Sequence, residues 1–289
     1  MQQIDYIPKL PPRPKLSHKG TFGTVIVVGG CDTMFGAPAL CARAALRTGA
    51  GLVKVACSAA ILPHIITIEP SVTGIVLSQD PAEAMDQINH ADPRQKAVLA
   101  VGPGMGISEA NGELIAMMLR GRRPIVLDAD GLSLFAQQLD ADNDPGDYNA
   151  PLVLTPHPGE YMRLAEPLGI NADPVKPTMR VEATAIMAKR LQSVVLLKGH
   201  RTVIVEKARF SINPTGNPAL AVPGSGDVLT GIIASLTAQG MDCFNAAVLG
   251  SYAHGLAGDR WAKVNGKRGL RAIELTNWLP QVFTRLAKE

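Results

Sequence analysis

Seven short apolar runs, at residues 24–28, 52–56, 97–101, 124–127, 152–154, 194–197 and 202–205, alternate along the chain with stretches of helical character. Several runs are continuously apolar, as in Val194-Val195-Leu196-Leu197. A strand that is apolar on both sides needs helices over both faces of its sheet. Helices are predicted at 37–48, 109–119, 159–164, 181–191, 227–238 and 245–259, where apolar residues recur at intervals of three and four. Strand and helix in regular alternation mark parallel βαβ units, so the expected fold is α/β, with three layers (α/β/α) around a mainly parallel central sheet.

The 289 residues, 46% hydrophobic and 18% charged, suffice to bury a full core, and disorder is not expected across the body. Residues 1–16 form a proline-rich arm ahead of one expected domain, 17–289; residues 140–150, rich in Asp, Asn, Gly and Pro, read as a surface loop. The net charge of +3 is small and its Lys and Arg are scattered, which excludes a nucleic-acid footprint and a polybasic membrane patch. No apolar run reaches the length of a membrane span, and residues 1–15 carry prolines and mixed charges where a signal peptide has an apolar core. The expected location is the cytoplasm. Cys31, Cys41, Cys57 and Cys243 lack C-x-x-C or metal-ligand spacing and read as small buried hydrophobes in a reducing compartment.

Sheets of this kind bind ligands outside the carboxyl ends of their strands. There the sequence places Gly102-Pro103-Gly104-Met105-Gly106, then Asp128-Ala129-Asp130, then Thr155-Pro156-His157-Pro158-Gly159-Glu160, then Lys198-Gly199-His200-Arg201-Thr202. A lysine directly after four apolar residues is expensive to leave unpaired. The most pointed stretch is Pro223-Gly224-Ser225-Gly226-Asp227, which empties into an apolar helix starting near Asp227. Glycines let backbone N–H groups turn toward an anion, and the helix terminus adds about half a positive charge. An acid beside such a site has two readings: it takes a proton from a hydroxyl engaged in phosphoryl transfer, or it caps the helix. Asp128 likewise acts on a ligand or caps the helix after it.

Other chemistries lack their motifs. There is no G-x-x-x-x-G-K-[ST], and Gly29-Gly30 with Gly36 does not fit G-x-G-x-x-G. Around Ser225 the nucleophile elbow G-x-S-x-G fails on both sides, at Pro223 and Asp227. No H-E-x-x-H or Cys/His cluster argues for zinc.

Assembled in order, these stretches resemble a known family over nearly the whole chain. They are joined by His18-Lys19-Gly20-Thr21-Phe22-Gly23, Gly36-Ala37, Arg47-Thr48-Gly49-Ala50-Gly51-Leu52-Val53 and Val228-Leu229-Thr230-Gly231. The chain is similar to the ADP/ATP-dependent NAD(P)H-hydrate dehydratases, a carbohydrate-kinase-related branch of the ribokinase-like superfamily. The T-P-H-P-G-E segment is the most specific match, because the sugar and vitamin kinases of the superfamily lack it.

The resemblance implies a ribokinase-like fold and a repair reaction on nicotinamide cofactors that carry water added across a ring double bond. The S form is phosphorylated on its new hydroxyl, and expulsion of phosphate restores NADH or NADPH. By the same match Asp227 is the catalytic base, and backbone N–H groups of Gly224, Ser225 and Gly226 form the anion hole. Gly36, Ala37, Gly104, Gly106, His157 and Asp227 would line the hydrated NAD(P)H. Lys198, Gly199, His200, Arg201, Thr202 and Gly226 would hold the adenine nucleotide. Glu160 and Asp128 lie where relatives arrange water and Mg²⁺, so both are expected near the metal, with direct or water-mediated contact left open. ADP is the expected phosphoryl donor, ATP the poorer one, and a homo-oligomer, a tetramer as in the family, is expected. The family's epimerase domain is expected to be absent, since the motifs begin by Ser17.

The chain departs from the family pattern at Pro223, which has no N–H where a glycine is usual; at Ser133, which replaces an amide; and at Pro38, tolerable in a first helical turn. Two other readings are open: a vitamin-precursor kinase of the same fold, which would leave a stable phosphorylated product, and a non-catalytic nucleotide sensor.

Overall fold

The computed structural model describes residues 1–139 and 148–288; most of the loop expected at 140–150 falls outside the described residues. Ten strands form one sheet: β1 (Gln2–Gln3), β2 (Thr24–Val28), β3 (Leu52–Cys57), β4 (Thr73–Val76), β5 (Val98–Val101), β6 (Ile125–Leu127), β7 (Leu152–Leu154), β8 (Val194–Leu197), β9 (Val203–Glu206) and β10 (Arg209–Ile212). Their order is β1-β10-β9-β8-β7-β6-β5-β2-β3-β4. The seven strands from β8 to β4 are mutually parallel, while β9 runs antiparallel to β8 and β10 antiparallel to β9.

Helices cover both faces, as continuous apolar strands demand. On one side α1 (Gly36–Thr48), α8 (Ser225–Ala238), α9 (Cys243–Asn265) and α10 (Ala272–Leu286) pack on Val25, Val27, Val98, Ala100, Val126 and Val153. On the other, α3 (Pro81–Ala91), α4 (Glu109–Arg120), α5 (Asp130–Ala136), α6 (Pro158–Ala165) and α7 (Arg180–Arg190) pack on Ile26, Val28, Leu99, Val101, Leu127 and Leu154. Successive strand residues thus alternate between two cores, the period of two that a pleated strand imposes. The short α2 (Leu62–Ile68) puts Ile65 in the first core.

Every expected strand and helix forms, with ends shifted by a residue or two except in α9, which runs six residues further, to Asn265. Among the described residues, seven strands and α-helices were not expected: β1, β4, β10, α2, α3, α5 and α10. Of β4 only Ile75 is buried, and β1 is two exposed residues, so neither carries an apolar run. Pro280 lies inside α10 and interrupts its helical reading. The arm does not trail free: β1 pairs with β10, Ile4, Ile7 and Leu10 pack on the core, and Arg13 lies over the Phe22 ring while donating to the Gly49 carbonyl. Cys41 and Cys57 are buried, but Cys31 and Cys243 are only partly so, because one follows β2 in a loop and the other starts α9. Among the described residues no helix is long and apolar enough to cross a membrane.

Candidate active site

Strand order reverses between β2 and β5, since the chain leaves β2 toward β3 and β4 and returns to β2's other side at β5. Such a switch point leaves a crevice at the carboxyl ends. Gly30 N donates to the Pro103 carbonyl at 3.0 Å and Gly102 N to the Val28 carbonyl at 3.0 Å, which ties the two loops together. Gly102, at φ 113°, backs onto the Asp128 carbonyl so closely that a Cβ would collide with it. The loop after β5 therefore fixes the backbone of the loop after β6, and Gly106 N donates to Asp130 Oδ2 at 2.8 Å.

Asp128 is 1% exposed. Its Oδ1 accepts from Lys198 Nζ at 2.7 Å and its Oδ2 from the Thr230 hydroxyl at 2.7 Å. Lys198 also lies 3.4 Å from Glu160 Oε2. Burial raises the Asp128 pKa, but the Lys198 charge and hydrogen bonding by Lys198, Thr230 and Thr155 overcome it and hold the carboxyl below its ordinary value. Burial likewise opposes the Lys198 charge, and Asp128 with Glu160 raises its pKa in spite of it. The capping alternative for Asp128 fails, because α5 begins at Asp130 without a side-chain cap.

Helix α8 begins at Ser225, two residues earlier than the sequence suggests, with Gly224 at its N-cap in the left-handed conformation, φ 84°. Asp227 is thus the third helical residue and does not cap the helix. Burial, then repulsion from Asp128, raises its pKa to about 7; Lys198 lowers it, and Asp130 and Glu160 raise it further. Around neutral pH this carboxyl can both accept and return a proton. Of the three N–H groups expected to form the anion hole, that of Ser225 donates instead to the Val222 carbonyl at 3.3 Å, and the neighbouring Pro223 has none to add.

These groups line a cavity of about 980 Å³. Asp128, His157, Lys198, Gly199, His200, Arg201, Thr202, Gly224, Ser225, Gly226 and Asp227 all face it, and its lining also includes Asn213, residues 215–218 and 220–223, Ser251, His254 and Lys267. Glu160 stands behind Lys198, outside that lining. Gly36, Ala37, Gly104 and Gly106 do not line it either. They lie at the start of α1 and in the loop after β5, on either side of the switch point, where Gly104 backs onto the Met34 carbonyl and the Ala37 side chain, and a Cβ on Gly36 would meet nothing within 4 Å.

His157 has a structural task that the sequence reading missed. Its Nδ1 accepts from Gly159 N at 3.0 Å and Glu160 N at 3.2 Å, while Glu160 Oε2 accepts from His157 N at 2.7 Å, a reciprocal cap on α6. The imidazole is still about half exposed, at 51%. Other polar residues were given no role: Thr230, Asn213, Asn217, His254 and Asp259. Asp259 accepts from Gly216 N at 2.9 Å and Asn217 Nδ2 at 2.8 Å, which fixes the loop after β10 along the cavity. The available signal was polarity inside apolar helices, at Thr230 in α8 and at His254 and Asp259 in α9.

Among the described residues no three His, Cys, Asp or Glu side chains gather as a metal cage. The oxygens present suit magnesium in another manner: that ion keeps several waters and takes few protein carboxylates when substrate phosphates supply the rest. With Asp128 and Glu160 both engaged by Lys198, a water-mediated role is the one that fits.

A family model described as NAD(P)H-hydrate dehydratase matches residues 25–281. The chain is 42% identical over 288 residues to a bifunctional NAD(P)H-hydrate repair enzyme of Moorella thermoacetica, covering 97% of this chain and 53% of that one. It is 38% identical over 282 residues to the ADP-dependent (S)-NAD(P)H-hydrate dehydratase of Neisseria meningitidis serogroup B, covering 94% and 90%. The crystal structure of the ADP/ATP-dependent NAD(P)H-hydrate dehydratase from Bacillus subtilis, co-crystallised with ATP and Mg²⁺, superposes with a TM-score of 0.80 at 31% identity, covering 96% and 95%. The chain spans about half the length of the bifunctional relatives it matches.

Proposed function

Since the chain belongs to the NAD(P)H-hydrate dehydratase family, we propose that it repairs (S)-hydrated NADH or NADPH at the expense of ADP, with ATP the poorer donor. The observation that carries the reading is Asp227: a carboxyl with a pKa of about 7, in the first turn of a helix that opens on a glycine loop, facing a cavity large enough for a nucleotide.

Asp227 takes the proton of the ring hydroxyl as that oxygen attacks the terminal phosphorus of the nucleotide. The phosphoanhydride bond breaks, and its electrons leave with AMP when ADP is the donor. N–H groups of Gly224 and Gly226, with the positive end of α8, oppose the charge on the transferring group. Phosphate is a far better leaving group than hydroxide. Its C–O bond then breaks with the help of the ring nitrogen, and loss of a proton from the adjacent carbon restores the double bond.

The nucleotide lies along Lys198 to Thr202, and the dinucleotide reaches from His157 toward the crevice at Gly36, Ala37, Gly104 and Gly106. Magnesium, when bound through the nucleotide phosphates, would neutralise their charge beside Asp128 and Glu160. The working form in this reading is a cytoplasmic homo-oligomer, a tetramer, which sedimentation would check.

The test is to incubate the protein with (S)-hydrated NADH, Mg²⁺ and ADP, following the return of the nicotinamide absorbance together with release of inorganic phosphate and AMP. A stable phosphorylated product in place of phosphate would identify a kinase. Binding of nucleotide without turnover would identify a sensor.

A further inference from the structure

His254, in the middle of α9, brings one ring nitrogen against both oxygens of Ser225, the first residue of α8. Nε2 lies 3.1 Å from Ser225 Oγ and 3.0 Å from the Ser225 carbonyl oxygen. A carbonyl oxygen only accepts, so Nε2 is the nitrogen that carries the hydrogen. That N–H is then shared between the two oxygens, and Oγ is an acceptor on the side of the ring. The proton of the Ser225 hydroxyl must point away from His254. Both residues line the cavity, and Oγ has no other partner among the described residues.

The backbone of the same loop is short of donors. Pro223 has none, and the Ser225 N–H is turned back to the Val222 carbonyl. Burial lowers the His254 pKa to about 4, the bond to Ser225 opposes this, and the Lys198 charge adds to the fall. The ring is neutral at ordinary pH and carries one N–H, which the Ser225 carbonyl assigns to Nε2.

We propose that Ser225 serves the anion site through its side-chain hydroxyl and that His254 is a positioning residue which turns the hydroxyl proton toward the bound phosphoryl group. The proposal rests on the reading that this loop receives the transferring phosphate. The hydroxyl supplies a donor at the place where the backbone of Pro223 and Ser225 supplies none.

The experiment compares the full chain with Ser225→Ala, His254→Leu, His254→Gln and the double variant Ser225→Ala/His254→Leu, measuring kcat, KM for the hydrate, ADP affinity and melting temperature. Losing one hydrogen bond to a charged oxygen predicts that Ser225→Ala lowers kcat by about ten- to a hundredfold, with KM for the hydrate unchanged. His254→Leu should fall similarly, and His254→Gln, whose amide N–H can replace Nε2–H, should recover most of the loss. In the Ser225→Ala background His254→Leu should cost little more. The proposal is overturned if Ser225→Ala keeps more than about half of wild-type kcat, or if His254→Leu costs as much in the Ser225→Ala background as in the wild type. Should His254→Leu fail to fold, Ser225→Ala and His254→Gln decide alone. A wild-type protein without dehydratase activity would sink the proposed function instead. ADP affinity then decides here: about tenfold weaker in Ser225→Ala supports the hydroxyl donor, and an equal affinity refutes it.

Discussion

Lys198, at the end of β8, and Asp128, at the end of β6, join at 2.7 Å across the intervening strand β7. The pair forms part of the floor beneath the glycine loop that opens α8, since a Cβ placed on Gly226 would lie 3.5 Å from Lys198 Nζ and 3.6 Å from Asp128 Oδ2. A lysine that the family resemblance assigns to a nucleotide is thus first held by the protein's own acids, as its place after four apolar residues requires, and its charge acts on Asp227 at the same time.

Lys198→Met tests both roles. The substitution strands a carboxylate whose side chain is 2% exposed, so the expected cost is about 3–5 kcal/mol of stability, read from urea unfolding. Lys198 lowers the Asp227 pKa, and its loss should carry the base limb of the pH–rate profile to higher pH. A stability loss below about 1 kcal/mol would mean that Asp128 finds another partner or takes up a proton.

Asp227→Asn should lower turnover by about 10²–10⁴-fold while nucleotide binding survives, the usual share of a positioned general base. The same variant has a stability signature in the ligand-free protein. Asp227 has a folded pKa of about 7, above the ordinary carboxyl value of 3.8, so the folded state holds the proton more tightly than the unfolded one. The wild type therefore loses stability as pH rises from about 4 through 7, and asparagine does not titrate. Melting temperatures of the two proteins should converge near pH 4 and separate in favour of Asn by pH 8. Parallel curves across that range would show an ordinary carboxyl at this position.

The two glycines that flank Ser225 differ in what they do. Gly224 sits at φ 84°, and a Cβ there would meet Leu40 Cδ1 at 2.6 Å and Ala272 Cβ at 3.0 Å. Gly224→Ala should cost about 1–3 kcal/mol from backbone strain and crowding together. Gly226 is helical, and a Cβ there finds only ordinary contacts. Gly226→Ala should fold as well as wild type and gain a little stability, yet bind ADP more weakly because its methyl occupies space where a phosphate approaches the backbone. Unchanged ADP affinity in Gly226→Ala would move the phosphate away from this residue.

The parallel core and its strand-end loops were legible because they rest on local signals: apolar runs of three to five residues, and polar or glycine residues directly after them. The pairing of Lys198 with Asp128 was not legible, since those residues lie 70 positions apart and only the strand order β6-β7-β8 brings them together. The turn of β9 and β10 into an antiparallel edge escaped for a related reason. Lys207, at φ 50°, makes the tight connection without glycine or asparagine, the residues that usually announce one. His254 belongs to the same class: on α9 it reads as an isolated histidine, and its meaning comes from the end of α8 that it touches.

His157 separates capping from ligand contact in one experiment. Its Nδ1 accepts two N–H bonds at the start of α6, and loss of such a cap in His157→Ala should cost about 1 kcal/mol. Asparagine is among the best residues at that position and can accept from the same N–H groups, so His157→Asn should restore most of the stability. It cannot restore an imidazole. With the ring about half exposed on the cavity, contact with the hydrated nicotinamide nucleotide predicts that KM for the hydrate rises in both variants, by about tenfold for one lost hydrogen bond. If His157→Asn matches wild type in both melting temperature and KM, His157 is a helix cap and no more.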